Sequence, residues 1–166
     1  MMICDKLAKL LHEQVGHELG ASHQYLATAV FFADRGLDGW ADAFYRQSDE
    51  ERDHAMKIIK FLVEVGVNFT MPAIVEADPA DISSPLEACQ KALGWEQTVT
   101  QQFRTMAKIA TEEGDHVSTQ FLQWFLNEQI EEENTMDRYI KILESGLNPF
   151  QAEPLLGDPH AAEEGV

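Results

Sequence analysis

The chain has 166 residues, enough for a single domain, 1–166, that buries about 70% of its unfolded surface and folds without a disulfide or metal staple. Its 12 Lys+Arg against 29 Asp+Glu leave a net charge of −17, which argues against nucleic-acid binding through a basic face and against a polybasic membrane contact. With 45% hydrophobic residues it is not an acidic disordered tail. The negative surface serves solubility or attracts cations. Cys4 and Cys89 are far apart and form no C-x-x-C pair, which excludes a zinc ribbon or a rubredoxin-type iron site. The first residues lack the basic-then-apolar pattern of a signal peptide, and no run of about 18 apolar residues is present. The expected compartment is the cytoplasm.

Taken in chain order, the predicted elements are long helices separated by Gly and Pro punctuation. Helix one is expected over 3–34, ending before Gly36, and helix two over 38–66. A break from Val67 to Ser84 carries Pro72 and Pro79. Helix three is expected over 85–113, with Ser84 as cap, Pro85 at the first helical position and Glu87 completing a capping box. Gly114 separates it from helix four, over 116–145. The segment 148–158 reads as a short fifth helix interrupted at Pro154, and residues 159–166 as a disordered tail. Short first and third breaks make helices one and two antiparallel, and likewise three and four. The middle break of about 18 residues can span about 60 Å, enough to travel the bundle and make helices two and three parallel. The predicted fold is all-α, a four-helix bundle with a long crossover.

Residues placed at 100° per position reveal the chemistry. Leu7, Leu11, Tyr25, Ala29 and Phe32 lie around Glu18. Trp40, Phe44, Ala55, Ile58 and Leu62 lie around Glu51. Cys89, Ala92, Phe103, Ala107 and Ala110 surround Glu96, and Phe121, Phe125, Met136, Tyr139 and Leu143 surround Glu132. Each long helix therefore carries a glutamate at the centre of its core-facing stripe and near its own midpoint. Midpoints coincide whichever way helices run, so four carboxylates should meet inside the bundle. Unpaired, each would cost several kcal/mol or take up a proton. No Lys or Arg shares these faces, so a multivalent cation is the compensation.

His54, three residues after Glu51, supplies a nitrogen at the Glu-x-x-His spacing of carboxylate-bridged dimetal bundles. Oxygen-rich ligation with one imidazole suits iron or manganese better than zinc or copper. Gln129 faces partly inward and can orient a ligand or a water. Glu50, Glu128 and Glu131 read equally as a solvated acidic face or as a third metal position beside the pair, whereas Glu133 reads as solvated. Tyr25, two turns from Glu18, is either a core tyrosine bonding a ligand or an electron donor, and Trp124 either packing or a donor. A small dimetal oxidase and a non-catalytic acidic helical module remain the rival readings at this point.

From about Leu7 to Gly146 the chain resembles the bacterial non-haem ferritins. The resemblance is carried by His12-Glu13-Gln14 with Glu18 and Tyr25, by Asp49-Glu50-Glu51-Arg52-Asp53-His54, by Trp95-Glu96-Gln97, and by Gln123-Trp124-Phe125-Leu126-Asn127-Glu128-Gln129 followed by three glutamates. It implies a ferritin-like bundle and a di-iron ferroxidase centre. One iron would sit on Glu18, Glu51 and His54, and the other on Glu51, Glu96 and Glu132, with Glu51 bridging. A third iron site would map to Glu50, Glu128, Glu131 and Glu132. It further implies oxidation of Fe²⁺ by dioxygen or hydrogen peroxide, and Fe³⁺ mineral stored in a hollow homo-oligomeric shell of 24 subunits, with no nucleic-acid or membrane partner. Bacterioferritins carry a haem-ligating Met after the bridging Glu, where this chain has Arg52, and a second Glu-x-x-His on helix four, where it has Gln129 and Glu132. Haem is therefore not expected. The acidic pair lining the three-fold pore of animal ferritins falls on Thr119 and Leu122, with Asp115 and His116, at the turn between helices three and four, as the substitutes.

Overall fold

The computed structural model describes residues 3–77 and 82–157. The chain folds into four long helices, α1 (Asp5–Ala33), α2 (Asp38–Glu64), α3 (Pro85–Glu112) and α4 (His116–Glu144), then a single turn of helix, α5 (Pro149–Ala152), and a 3₁₀ turn over Glu153–Leu155. Residues 159–166, read from sequence as a tail, lie outside the described residues. No described helix is long and apolar enough to cross a membrane.

Local chemistry explains the reversals. Gly36 closes α1 with φ +68° and Gly114 closes α3 with φ +66°, a conformation costing other residues about 1 kcal/mol or more. Behind Gly36 the Leu37 amide reaches back to the Phe32 carbonyl at 3.1 Å, and behind Gly114 the Asp115 amide reaches Ala110 at 2.9 Å. These bonds satisfy carbonyls the helix leaves open. Ser84 caps α3, its hydroxyl accepting from the Glu87 amide at 3.2 Å. The return arm of the expected capping box is displaced by one residue: the Glu87 carboxylate accepts from the Ser83 amide at 2.9 Å and from its hydroxyl. Pro85 begins the helix one residue beyond Ser84 and leaves Ser83 as the donor in reach. Asp115 caps α4, accepting from the Ser118 amide at 2.9 Å and its hydroxyl at 2.6 Å.

The crossover fixes the topology. At its start Val67 and Phe69 pack on one apolar cluster, with Leu7, Leu11, Ile58, Phe103 and Phe125. At its end Ile82 joins the other, with Phe32, Trp40, Phe44, Ala92 and Tyr139. The segment thus travels from one end of the bundle to the other, so α2 and α3 run parallel. His12 ties it to α1, its Nε2 lying 2.7 Å from the Thr70 carbonyl oxygen. Gly16 lets it lie close, because a Cβ there would stand 3.2 Å from Pro72.

The C-terminal segment docks on the second cluster. The Trp40 indole N–H donates to the Pro149 carbonyl at 2.9 Å, the Glu153 carboxylate accepts from the Gly39 amide at 2.9 Å, and the Arg138 guanidinium donates to the Leu155 carbonyl at 2.6 Å. Ala152 and Leu156 are buried there. Pro154 limits α5 to one turn and sits in the 3₁₀ turn that follows.

Between the two apolar clusters lies a belt of buried polar side chains: Gln14, Glu18, Ser22, Gln47, Ser48, Glu51, His54, Glu96, Gln129 and Glu132. Ser22 and Ser48 clamp α1 to α2 within it, each hydroxyl donating to the other's backbone carbonyl, at 2.7 and 2.8 Å.

Candidate metal centre

The four stripe glutamates converge in this belt. Glu18, Glu51 and His54 form one group of prospective ligands and Glu51, Glu96 and Glu132 a second, with the ligand atoms of each group within 4.8 Å of one another. All five side chains are buried, and Glu51 belongs to both groups.

Hydrogen bonds pin particular oxygens. The Gln14 amide donates to Glu18 Oε1 at 2.6 Å. The Gln47 amide donates to Glu132 Oε2 and, at 3.5 Å, to Glu51 Oε1. The Tyr25 hydroxyl donates to Glu96 Oε1, and the Gln129 amide donates to Glu96 Oε2 at 3.0 Å. Tyr25 therefore shares a face with Glu18 but serves Glu96. Within the belt two buried atoms have no hydrogen-bond partner, Glu18 Oε2 and His54 Nδ1. They stand 3.7 Å apart, and Glu51 Oε2 is 3.4 Å from the same imidazole nitrogen. A buried carboxylate oxygen and a buried imidazole nitrogen left without hydrogen-bond partners cost free energy that a cation between them removes.

Protonation follows from crowding. Burial, then the charges of Glu96 and Glu18, hold the Glu51 carboxyl well above the carboxylate range. Burial with Glu96 and Glu50 does the same to Glu132. Glu96 is pushed up to about 7, chiefly by burial. Burial also acts against ionised Glu18, but His54, Glu51 and Gln14 outweigh it and hold this carboxyl below its usual value. Burial lowers His54, yet the surrounding carboxylates, Glu18 first, raise it to about 8. The belt thus holds protons that multivalent cations would displace.

The remaining expected residues are placed as follows. Gln129 lies inward as expected, on Glu96. Glu50 and Glu128 are half-buried and Glu131 is exposed, and none joins either group of ligands within 4.8 Å. The charge of Glu50 still acts on Glu132, and that of Glu128 on His54. Glu133, read as solvated, is half-buried and accepts from the Thr100 hydroxyl at 2.5 Å, because α3 packs over it. Leu122 is fully buried in the core. Trp124 stands edge-on to the His54 ring at 5.5 Å between centroids, with the Lys57 ammonium 3.8 Å over its other surroundings, the indole face. Sequence reasoning passes over Gln47 and treats Gln14 only as part of a motif. Both precede a belt glutamate by four residues on the same helix face, a spacing that signals a hydrogen-bonded pair.

Known proteins resemble this chain along most of its length. The family model described as a ferritin-like domain matches residues 8–145. The ferritin BfrB of Mycolicibacterium smegmatis is 40% identical over 151 residues, covering 89% of this chain and 82% of the relative. The chain belongs to the ferritin family. The bacterial non-heme ferritin of Staphylococcus aureus is 36% identical over 142 residues, covering 86% of this chain and 85% of that protein. An open pore ferritin from the hyperthermophilic archaeon Archaeoglobus fulgidus superposes with a TM-score of 0.88 at 29% identity, over 93% of this chain and 97% of that one. Iron storage coupled to oxidation of Fe²⁺ is the function of this ferritin, and its subunits assemble into an oligomeric shell.

Proposed function

We propose that each chain oxidises Fe²⁺ at an intrasubunit pair of iron positions. One position is held by Glu18, Glu51 and His54, the other by Glu51, Glu96 and Glu132, with Glu51 common to both. The observation that carries this reading is the pair of buried ligand groups sharing one carboxylate, with Glu18 Oε2 and His54 Nδ1 left unpartnered on its near side. Iron here is the substrate, and the redox chemistry belongs to it. The chain's part is to supply four carboxylates and one imidazole in a water-poor belt, to give up the protons that Glu51, Glu96 and Glu132 hold when empty, and to keep the ligands fixed through Gln14, Gln47, Gln129 and Tyr25. Dioxygen or hydrogen peroxide is the acceptor. Glu50, Glu128 and Glu131, with Glu132, form a third and looser iron position toward the edge of the belt, supported by the reach of the Glu50 and Glu128 charges into it. The shell is of the 24-subunit kind, in the cytoplasm.

Glu51→Ala tests the reading. Stopped-flow absorbance after anaerobic Fe²⁺ loading should show oxidation at least about a hundredfold slower than wild type, because one substitution removes a ligand from both positions. Equal rates would sink it. Sedimentation with metal analysis tests the shell: a particle of dimer mass that retains no mineral would favour a small dimetal oxidase.

A further inference from the structure

The belt amides share the glutamate oxygens unevenly. Gln14 takes Oε1 of Glu18 and leaves Oε2 toward His54. Gln47 lies 3.5 Å from Glu51 Oε1, and Oε2 again faces His54, at 3.4 Å. The same Gln47 amide takes Oε2 of Glu132, a residue on the opposite helix pair. Gln14 therefore touches a glutamate of the first ligand group only. Gln47 touches the shared glutamate and the α4 glutamate of the second group, bridging α2 to α4 through one buried side chain.

We propose that Gln47 is the positioning residue of the second iron position, and that Gln14 has the corresponding task at the first. This rests on the two-position reading above. A carboxylate on a free χ3 torsion presents either oxygen to a cation, and ordering it costs entropy. An amide donor on one oxygen removes that freedom and aims the other. At Glu132 this ordering comes from Gln47. Glu96 has two donors of its own, Tyr25 and Gln129, so it does not depend on Gln47. Loss of the Gln47 amide therefore frees Glu132 and loosens its spacing from Glu51, while Glu18 and His54 keep their arrangement.

Anaerobic titration with Co²⁺, read by calorimetry and by visible absorption, tests the assignment without turnover. Wild type should bind two equivalents per chain in resolvable steps. Gln47→Met keeps the volume and removes the donor; its second step should weaken by roughly tenfold or more, with the first within about threefold. Gln14→Met should show the reverse pattern. An unchanged second step in Gln47→Met, or equal weakening of both steps, overturns the proposal, since a loosened bundle has no reason to spare one position. If Gln47→Met does not assemble, Gln47→Leu carries the same expectation. Fewer than two equivalents in wild type would instead overturn the two-position reading itself.

Discussion

The two ligand groups share Glu51 but are built on different principles. The first, Glu18 with His54, lies on the α1–α2 pair and holds two unpartnered buried atoms aimed at each other. The second, Glu96 with Glu132, lies on α3 and α4, has no imidazole, and has donors from Tyr25, Gln129 and Gln47 on three of its four terminal oxygens. The first is short of partners and gains by admitting a cation. The second is already satisfied when protonated, so a cation there must displace protons and share its ligands with the amides. One belt thus offers an expectant position and a reserved one.

The largest test separates the two by ligand deletion. His54→Ala should weaken the first Co²⁺ step by about a hundredfold, and Glu132→Ala the second by a similar factor, each leaving the other step nearly unchanged. Anaerobic calorimetry reads both. If either substitution abolishes both steps, the groups act as one site and the contrast collapses.

The sequence carried this belt further than it carried the contrast within it. Periodicity at 100° brought Glu18, Glu51, Glu96 and Glu132 to one depth, because midpoints of antiparallel helices coincide regardless of crossing angle. The bundle itself was legible in Gly36, Gly114 and the long Pro-containing crossover. A one-helix projection cannot show which oxygen a neighbouring helix takes, and this is why Gln47 on Glu132 and Thr100 on Glu133 were invisible. It also misjudged the width of the α4 stripe. Leu122 and Gln129 are buried while Phe121 and Leu143 are only partly so. α4 faces both α3 and the belt, and its buried face is rotated toward Gln129.

A pH series on the metal-free protein sharpens the contrast next. Glu96 titrates at about 7 and Glu51 and Glu132 are also raised, so in the fold these groups bind protons that the unfolded chain has lost above about 4.5. The Glu96 contribution to stability is complete below about 4.5 and is lost as pH rises through about 7, and those of Glu51 and Glu132 have the same sign. His54, raised to about 8, has the same sign, its contribution fading between 6.5 and 8. Glu18 is lowered and has the opposite sign, but its window lies below 4.5. The apoprotein's Tm should therefore fall by several degrees between pH 6 and pH 8.5. Saturating Zn²⁺ should flatten the curve, because the cation replaces the protons. Circular dichroism melts measure both, and an apo Tm that rises over this range would contradict the protonated second group.

The smallest effect belongs to Tyr25, and it probes how firmly the second group is held. The ring is fully buried, tilted against Phe44 and edge-to-face with Trp95, with centroids at 5.9 and 5.6 Å. Tyr25→Phe keeps that packing and deletes only the hydroxyl that donates to Glu96 Oε1. Glu96 retains the Gln129 amide on Oε2, so its orientation is weakened rather than lost. The cost to the fold should be about 1 kcal/mol. The second Co²⁺ step should weaken by about three- to fivefold, corresponding to roughly the same free energy, with the first step unmoved. Tyr25 sits on α1, on the same face as Glu18, so a purely packing role would disturb the first step at least as much as the second. A change confined to the second step therefore assigns the effect to the hydroxyl, and an equal change in both assigns it to the ring.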